Sequence, residues 1–158
     1  MNSIFDKIRD IKNSGTTYNF GILQNKVYKI LKSSTDDLLK PHGITTVDWA
    51  MLGLLYDHKG GIRLIEIAEL LAVEAPFVTA LADDLEKKGL VFRTTSQKDK
   101  RSKYLQLSDK GRKMVKDLES HLQKETKSLI RGISFRDLLA YRRVLNKIVE
   151  NQLNQDKN

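Results

Sequence analysis

The chain has 158 residues and a net charge of +8, from 28 Lys and Arg residues against 20 Asp and Glu residues. This length fits one domain with helical extensions, and the charge favours a polyanionic partner. The absence of cysteine excludes disulfides, cysteine-ligated zinc and cysteine catalysis. The N-terminal stretch contains acids, and no stretch approaches the roughly 20 apolar residues of a membrane span. We therefore expect a cytoplasmic protein without a signal peptide or a membrane segment.

Two amphipathic helices are predicted before residue 41. In Ser3–Lys12 four apolar residues fall on one helical face, and Asn13–Gly15 ends the pattern. In Thr17–Lys40 apolar residues recur at steps of three and four residues. Pro41 and Gly43 end this second helix, since both residue types are common just beyond a helix end.

The next segment predicts a helix and a short strand. Thr45–Asp48 has the spacing of a capping box, and it opens a helix that reaches about His58. Trp49 on this helix is either a core anchor or part of a ligand pocket. Gly60–Gly61 stops the helix, and Ile62–Arg63 is long enough to add a third strand to a later hairpin.

Two short helices joined by a tight turn are predicted next. Leu64–Ala72 is the first helix, Val73–Ala75 is the turn, and Pro76–Lys88 is the second helix, with Gly89 as its terminator. Proline is tolerated in a first helical turn because its missing N–H has no helical partner there. Two helices joined in this way are typical of a helix-turn-helix.

A charged hairpin is predicted after the helix pair. Its strands are Val91–Thr95 and Lys103–Leu107, and the residues between them are too polar for a core. From Arg93 to Lys116 there are nine basic residues and two acids, a net +7 that nearly matches the charge of the whole chain. The hairpin therefore predicts a wing that lies against nucleic-acid phosphate. The alternative is a hairpin that is only solvated.

Two more helices are predicted at the C-terminus. Ser108 caps a helix that reaches about Ile130, and Ser134–Asp137 opens another that reaches about Leu153. The terminal helices carry more apolar surface than a winged helix needs, so we infer a two-fold dimer; helices folded back on their own domain are the alternative. The predicted fold is mainly α with a small β-hairpin wing. It is a winged helix-turn-helix domain (41–110) flanked by N-terminal (1–40) and C-terminal (111–158) dimerisation helices in a single structural domain.

The wing carries the pattern D-x-R, five residues, then L-[S/T]-x-x-G. In this sequence the pattern consists of Asp99–Arg101, the five residues 102–106 and Leu107–Gly111. It resembles the MarR family of bacterial and archaeal regulators (multiple antibiotic resistance regulator). Leu81–Leu90 resembles the end of that family's recognition helix, and Gly43–Thr45 resembles the start of its second helix.

The resemblance implies a homodimer that binds near-palindromic double-stranded DNA and regulates transcription, here as an expected repressor. The recognition helix would enter the major groove, and Arg101 would enter the neighbouring minor groove with Asp99 holding its guanidinium. Many relatives release DNA when a small aromatic acid binds beside the dimer helices. In this chain that region includes Tyr28 and Trp49, and no ligand residue is assigned within it.

The recognition helix departs from the family's usual polar composition. Of its outward residues only Glu74 and Thr79 can hydrogen-bond a base edge, while Ala75, Phe77 and Ala80 can meet thymine methyl groups. The complete set of expected DNA-binding residues is Lys98, Asp99, Lys100, Arg101, Lys103, Arg93, Ala75, Pro76, Phe77, Thr79 and Ala80.

The helix pair also has an unfavourable charge for DNA binding. Ile62–Glu86 contains one base and six acids, a net −5 that opposes DNA unless the acids face away. The alternative function is therefore a winged-helix dimer with weakened DNA binding that acts as a ligand- or protein-binding module.

Enzymatic chemistry is not predicted. The three histidines are scattered, and the chain has no H-E-x-x-H or G-x-S-x-G spacing and no glycine pattern for nucleotide phosphates. No cofactor is expected, and a zinc site built from His42 and His58 with nearby carboxylates is the metal alternative. RNA binding lacks an aromatic stacking platform, and membrane binding lacks an apolar face beside the basic hairpin.

Overall fold

The computed structural model describes residues 17–95 and 103–155, with side chains from residue 21 onward. The predicted helix Ser3–Lys12 and the wing tip between the two hairpin strands lie outside the described residues. The described chain forms two compact units, of which the first ends at Gln123 and the second begins at Lys124. The predicted division at 1–40, 41–110 and 111–158 stays a prediction.

Six α-helices and three strands were predicted within the described residues, and all are present within one or two residues of the expected bounds. The helices are α1 (Thr17–Leu39), α2 (Thr46–Asp57), α3 (Leu64–Leu71), α4 (Ala75–Lys87), α5 (Asp109–Leu129) and α6 (Phe135–Gln155), with a 3-10 helix at Lys40–His42. The strands are β1 (Ile62–Arg63), β2 (Val91–Thr95) and β3 (Lys103–Leu107). The mainly helical fold with a small wing is confirmed.

The three strands form one antiparallel sheet with β3 in the middle, in the order β1-β3-β2. Ile62 lies opposite Leu105, and Val91 lies opposite Leu107. All four of these side chains are buried, because they point to the same face of the pleated sheet and that face covers the core. The predicted third strand is therefore present, and it ties the segment before α3 to the wing.

The core of the first unit is made where α2, α3, α4 and α5 meet this sheet. Its buried apolar residues are Leu39, Ile44, Met51, Leu52, Leu55, Ile62, Ile67, Ala68, Val78, Ala82, Leu85, Leu90, Val91, Leu105, Leu107, Val115, Leu118 and Leu122. Trp49 is half-buried and packs against this cluster. The apolar spacing along α4 places Val78, Ala82 and Leu85 on one face. Because that face packs in the core, the residues on the opposite face of α4 point outward.

Side-chain caps fix where two of the helices begin, as the sequence predicted. At α2 the Asp48 N–H donates to Thr45 Oγ1 at 3.2 Å, and the Thr45 N–H donates to Asp48 Oδ2 at 2.7 Å. At α6 the Asp137 N–H donates to Ser134 Oγ at 3.1 Å. These bonds satisfy backbone donors that have no partner within a first helical turn.

The start of α5 is fastened to the chain that follows α4. Ser108 Oγ accepts from the Gly111 N–H at 3.0 Å and donates to the Gly89 carbonyl at 2.7 Å, while the Ser108 N–H donates to the Leu90 carbonyl at 3.0 Å. A Cβ on Gly111 would overlap the Leu90 carbonyl oxygen and press on Leu107. The L-S-x-x-G pattern thus combines a buried leucine, a helix cap and a close helix-to-backbone contact.

Replacing Gly111 with alanine should destabilise the protein by about 1–3 kcal/mol, the usual cost of an overpacked contact. The obstacle is backbone, which cannot move aside as the end of a flexible side chain can. Gly53→Ala is the matched control, because an added Cβ at Gly53 in α2 meets nothing within 4 Å. It should instead stabilise by about 0.5–1 kcal/mol through helix propensity.

Urea unfolding of both variants at a fixed protomer concentration measures these changes. Equal effects of the two substitutions would contradict the tight contact at Gly111.

Candidate nucleic-acid interface

The helix-turn-helix is formed by α3 and α4 with a three-residue connection, Ala72–Glu74. Ala72 adopts the left-handed conformation with a φ of 53°, and its N–H and that of Val73 return to carbonyls of α3. This geometry ends α3 sharply and redirects the chain into α4. The side chains of Pro76, Phe77, Thr79 and Ala80 are then left exposed on α4.

The hydrogen bonds of α4 change what its predicted DNA-contacting residues can do. Thr79 Oγ1 donates to the Ala75 carbonyl at 3.1 Å, so the hydroxyl proton is already used. Ala75 is half-buried and packs against the core, which corrects the prediction that it faces outward. Phe77 remains 48% exposed and is the largest outward side chain of the helix.

Arg93 of β2 holds the wing strand against α4. Its guanidinium pairs with Asp83 at 2.5 Å and with Glu86, and its backbone N–H donates to Glu86 Oε1 at 3.1 Å. Burial lowers the pKa of Arg93, but the hydrogen bonds to Asp83 and Glu86 outweigh burial and raise the pKa overall. The sequence predicted Arg93 as a DNA contact, whereas the structure places its charge against two carboxylates of the recognition helix.

Four of the six acids in the helix pair form ion pairs within the protein, with three cations between them. Besides the two paired with Arg93, Glu66 pairs with Arg63 at 2.5 Å, and Asp84 pairs with Lys88 at 2.5 Å. Glu69 and Glu74 make no ion pair with the part of the chain that the structure describes. The net −5 of this segment therefore overstates the negative charge that its surface presents.

The two lysines that end α4 differ in their surroundings. Lys88 Nζ donates to the Gly43 carbonyl at 2.7 Å in addition to its pair with Asp84. Lys87 is exposed and makes no ion pair within the described ranges. Lys87 is therefore the better placed of the two to reach an outside anion.

One exposed cation lies at the described end of the hairpin. Lys103 lies opposite Thr95 at the last described pair of the two strands, and its side chain is exposed. The predicted DNA contacts Lys98, Asp99, Lys100 and Arg101 lie outside the described residues. Their roles stay predictions.

Comparison with known proteins identifies this arrangement. A family model described as the MarR family matches residues 42–102, the span from just before α2 to just before β3. Within that span the chain is a MarR-family winged helix. The family match and the solved structures below support a winged-helix transcriptional regulator.

Solved structures resemble the chain over most of its length. S. aureus MepR in complex with DNA shares 26% sequence identity, covers 84% of this chain and 97% of its own, and has a TM-score of 0.73. CouR from Rhodococcus jostii RHA1 bound to p-coumaroyl-CoA shares 23% identity, covers 85% of this chain and 95% of its own, and has a TM-score of 0.79. A MarR-family regulator from Rhodococcus sp. RHA1 shares 22% identity with a TM-score of 0.76, covering 85% of this chain and 96% of its own.

The first unit has a cavity of about 500 Å³ between α2, α3 and α5. Trp49 and Tyr56 line it together with Leu70, Leu71, Val115, Lys116 and others, and the Arg112 guanidinium lies 5.5 Å from the centre of the Tyr56 ring. Trp49 therefore both packs on the core and faces a cavity, which accommodates both of its predicted roles. Tyr28 is 59% exposed and does not line this cavity.

The metal alternative from the sequence is a zinc site built from His42 and His58 with nearby carboxylates. No group of three His, Cys, Asp or Glu side chains that could hold a metal ion lies in residues 17–95 and 103–155. His58 Nδ1 lies 2.8 Å from the Leu54 carbonyl oxygen of its own helix. No helix in the described chain is long and apolar enough to cross a bilayer.

The ion pairs of Arg93 were missed by sequence reasoning, which treated every base of the hairpin as free. A signal was available, since Asp83 and Glu86 are three residues apart on α4 and the strand after α4 is short. The Asp84–Lys88 pair carries a stronger signal, because residues four apart are neighbours on a helix.

The Arg93–Glu86 pair should show a stabilising coupling of about 1 kcal/mol in a double-mutant cycle of Arg93→Gln and Glu86→Gln. The Arg93 side chain is 22% exposed, so solvent screens the pair less than it screens a surface pair. The control cycle uses Lys147→Gln and Glu150→Gln, whose side chains are 67% and 60% exposed. That pair should couple by less than about 0.5 kcal/mol. Urea unfolding at one protomer concentration gives both values, and equal couplings would argue against a holding role for Arg93.

Proposed function

We propose that this MarR-family regulator binds near-palindromic operator DNA as a homodimer and represses transcription. In this proposal α4 enters the major groove, and Arg101 at the wing tip enters the adjacent minor groove, where narrow A·T-rich DNA concentrates negative potential. The observation that carries the proposal is the helix-turn-helix itself, with α4 exposing one whole face beside a basic hairpin. In this proposal the protein is cytoplasmic, where it reaches chromosomal DNA, and it has no enzymatic activity.

Double-stranded DNA as the partner has support from similarity and from charge. MepR, which was solved in complex with DNA, shares 26% identity and the same fold over 84% of this chain. Internal ion pairs join four acids of the helix-turn-helix to three cations, which reduces the negative charge that opposes the basic hairpin and the exposed Lys87. A cationic surface of this kind binds phosphate by releasing counterions.

A second copy of the chain has support from the terminal helices. No residue of α6 is buried in the single protomer. Its exposed large apolar residues include Phe135, Tyr141, Val144, Ile148, Val149 and Leu153, and α1 exposes Ile22, Leu23, Tyr28, Ile30 and Leu31. Apolar surface of this extent is normally covered by a partner, and a two-fold dimer also suits a palindromic site.

We also propose that a small aromatic effector binds the cavity between α2, α3 and α5. A volume of about 500 Å³ lies within the range of small-molecule sites, and such sites are typically apolar with a few polar groups. Trp49 and Tyr56 offer aromatic faces, while Lys116 offers a cation for a carboxylate. Occupancy there would press on α3, the first helix of the helix-turn-helix.

The central test is a gel-shift titration with the DNA upstream of the protein's own gene, repeated across salt concentrations. A specific site whose affinity falls steeply with salt supports operator binding. No specific site at low salt, from a protein that is dimeric by light scattering, would favour the alternative of a ligand- or protein-binding module.

Arg101→Ala should weaken operator binding by about 10- to 100-fold without loss of the fold, since a specific groove contact is worth roughly 1–3 kcal/mol. Lys103→Ala is the comparison, because a phosphate contact should cost less and lower the slope of log affinity against log salt by about one for each protomer, or about two for the dimer. Anisotropy titrations with a labelled operator measure both, and circular dichroism checks the fold. Unchanged affinity in Arg101→Ala would remove that residue from the interface.

Ile148→Glu should dissociate the dimer and abolish specific binding, because it places a charge in the middle of the apolar side of α6. Asn154→Glu on the same helix is the control, since it adds the same charge at an exposed polar position on the other side of the helix and should leave the dimer intact. Light scattering after gel filtration reports the mass of each variant. A dimer that survives Ile148→Glu at micromolar concentration would place the dimer interface elsewhere.

A further inference from the structure

The outward face of α4 near its start differs in chemistry from a surface that reads bases by hydrogen bonds. It consists of Pro76, Phe77, Thr79 and Ala80, preceded by Glu74, and all five side chains are exposed. Resting on the function proposed above, we propose that Phe77 determines sequence specificity by reading the C5 methyl group of thymine in the major groove. The N-terminal residues of the second helix are the ones that contact base edges in a helix-turn-helix.

This face offers no side-chain hydrogen-bond donor. The Thr79 hydroxyl donates its proton to the Ala75 carbonyl at 3.1 Å, which leaves only lone pairs for a base. Glu74 presents a carboxylate, which accepts and does not donate when ionised. Pro76, Phe77 and Ala80 have no polar side-chain atom. The face therefore combines two acceptors with an apolar centre.

The bases respond differently to such a face. Guanine presents two acceptors, N7 and O6, in the major groove, so it finds no partner among these side chains and meets the lone pairs of Glu74 and Thr79 unfavourably. Thymine presents a methyl group, which is the one base feature that gains from contact with a phenyl ring. Glu74 and Thr79 can accept only from adenine N6 or cytosine N4, so the contact by which this helix selects thymine is the apolar one.

Phe77 is the residue placed to make that contact. Its ring is 48% exposed in the free protein, although burial of an aromatic side chain is strongly favourable. Ala80, one turn further along the same side, is too small to screen the ring from a partner. Ala75 packs against the core, which leaves Phe77 as the outward apolar group with enough reach to enter a groove.

The expected effect follows from the burial of one methyl-sized group. Removing one buried methyl group changes an equilibrium by roughly four-fold, and two symmetric half-sites give roughly fifteen-fold. Because the contact is apolar, this ratio should not change with salt, unlike the total affinity.

The experiment compares an operator selected from a random DNA pool with the same duplex carrying deoxyuridine in place of thymine, which removes only the methyl groups. The wild-type full chain, measured by fluorescence anisotropy, should bind the deoxyuridine duplex roughly fifteen-fold more weakly. Phe77→Ala should bind the two duplexes equally. Phe92→Ala is the matched control, because Phe92 is an exposed aromatic of β2, at 40%, and should keep the wild-type ratio.

The outcomes separate this inference from the proposed function. Specific binding that ignores the thymine methyl groups, or full discrimination retained by Phe77→Ala, would overturn the role of Phe77 while leaving operator binding intact. A residual ratio that persists in every variant would report altered DNA flexibility and not a protein contact. No specific binding at low salt by an intact dimer would overturn both.

Discussion

The contact between the first turn of α5 and the backbone that links α4 to β2 is the constraint on which the winged helix depends. Gly111 permits the close approach, and Ser108 closes it with bonds to Gly89 and Leu90. Because β3 ends where this contact begins, it fixes the returning strand of the wing relative to the end of α4. The sheet register then positions β2, and the buried stripe of α4 decides which residues face outward.

The two parts of the proposed DNA surface, the basic hairpin and the start of α4, differ in charge. Four acids of the helix-turn-helix are held by Arg63, Lys88 and Arg93, all within the same unit. Lys103 of the hairpin and Lys87 are exposed cations beside them. The exposed start of α4 carries apolar groups and hydrogen-bond acceptors. In the proposed complex, affinity and specificity would therefore rest on separate residues, with separate dependence on salt.

Local patterns in the sequence were enough for most of the fold. Helical spacing, the caps at Thr45 and Ser134, and the alternation of the hairpin predicted the six α-helices and the two hairpin strands, because each depends on residues close in sequence. The 3-10 helix at Lys40–His42 was not predicted. The ion pairs of Arg93 with Asp83 and Glu86 could not be predicted in the same way, since they depend on the distance between β2 and α4. The rotamer of Thr79 and the inward packing of Ala75 depend on the exact rotation of α4, which spacing alone leaves uncertain by part of a turn.

The absence of any buried residue in α6 has a consequence for how the regulator responds to its own abundance. A helix that buries no residue in one copy leaves its apolar surface for association, and the fraction of chains in which that surface is covered follows the law of mass action. With a second copy as the partner, the active species varies with the square of chain concentration while most chains are single. Halving synthesis would then cut the active pool to about a quarter, and a gene under its control would switch over a narrower range of dosage.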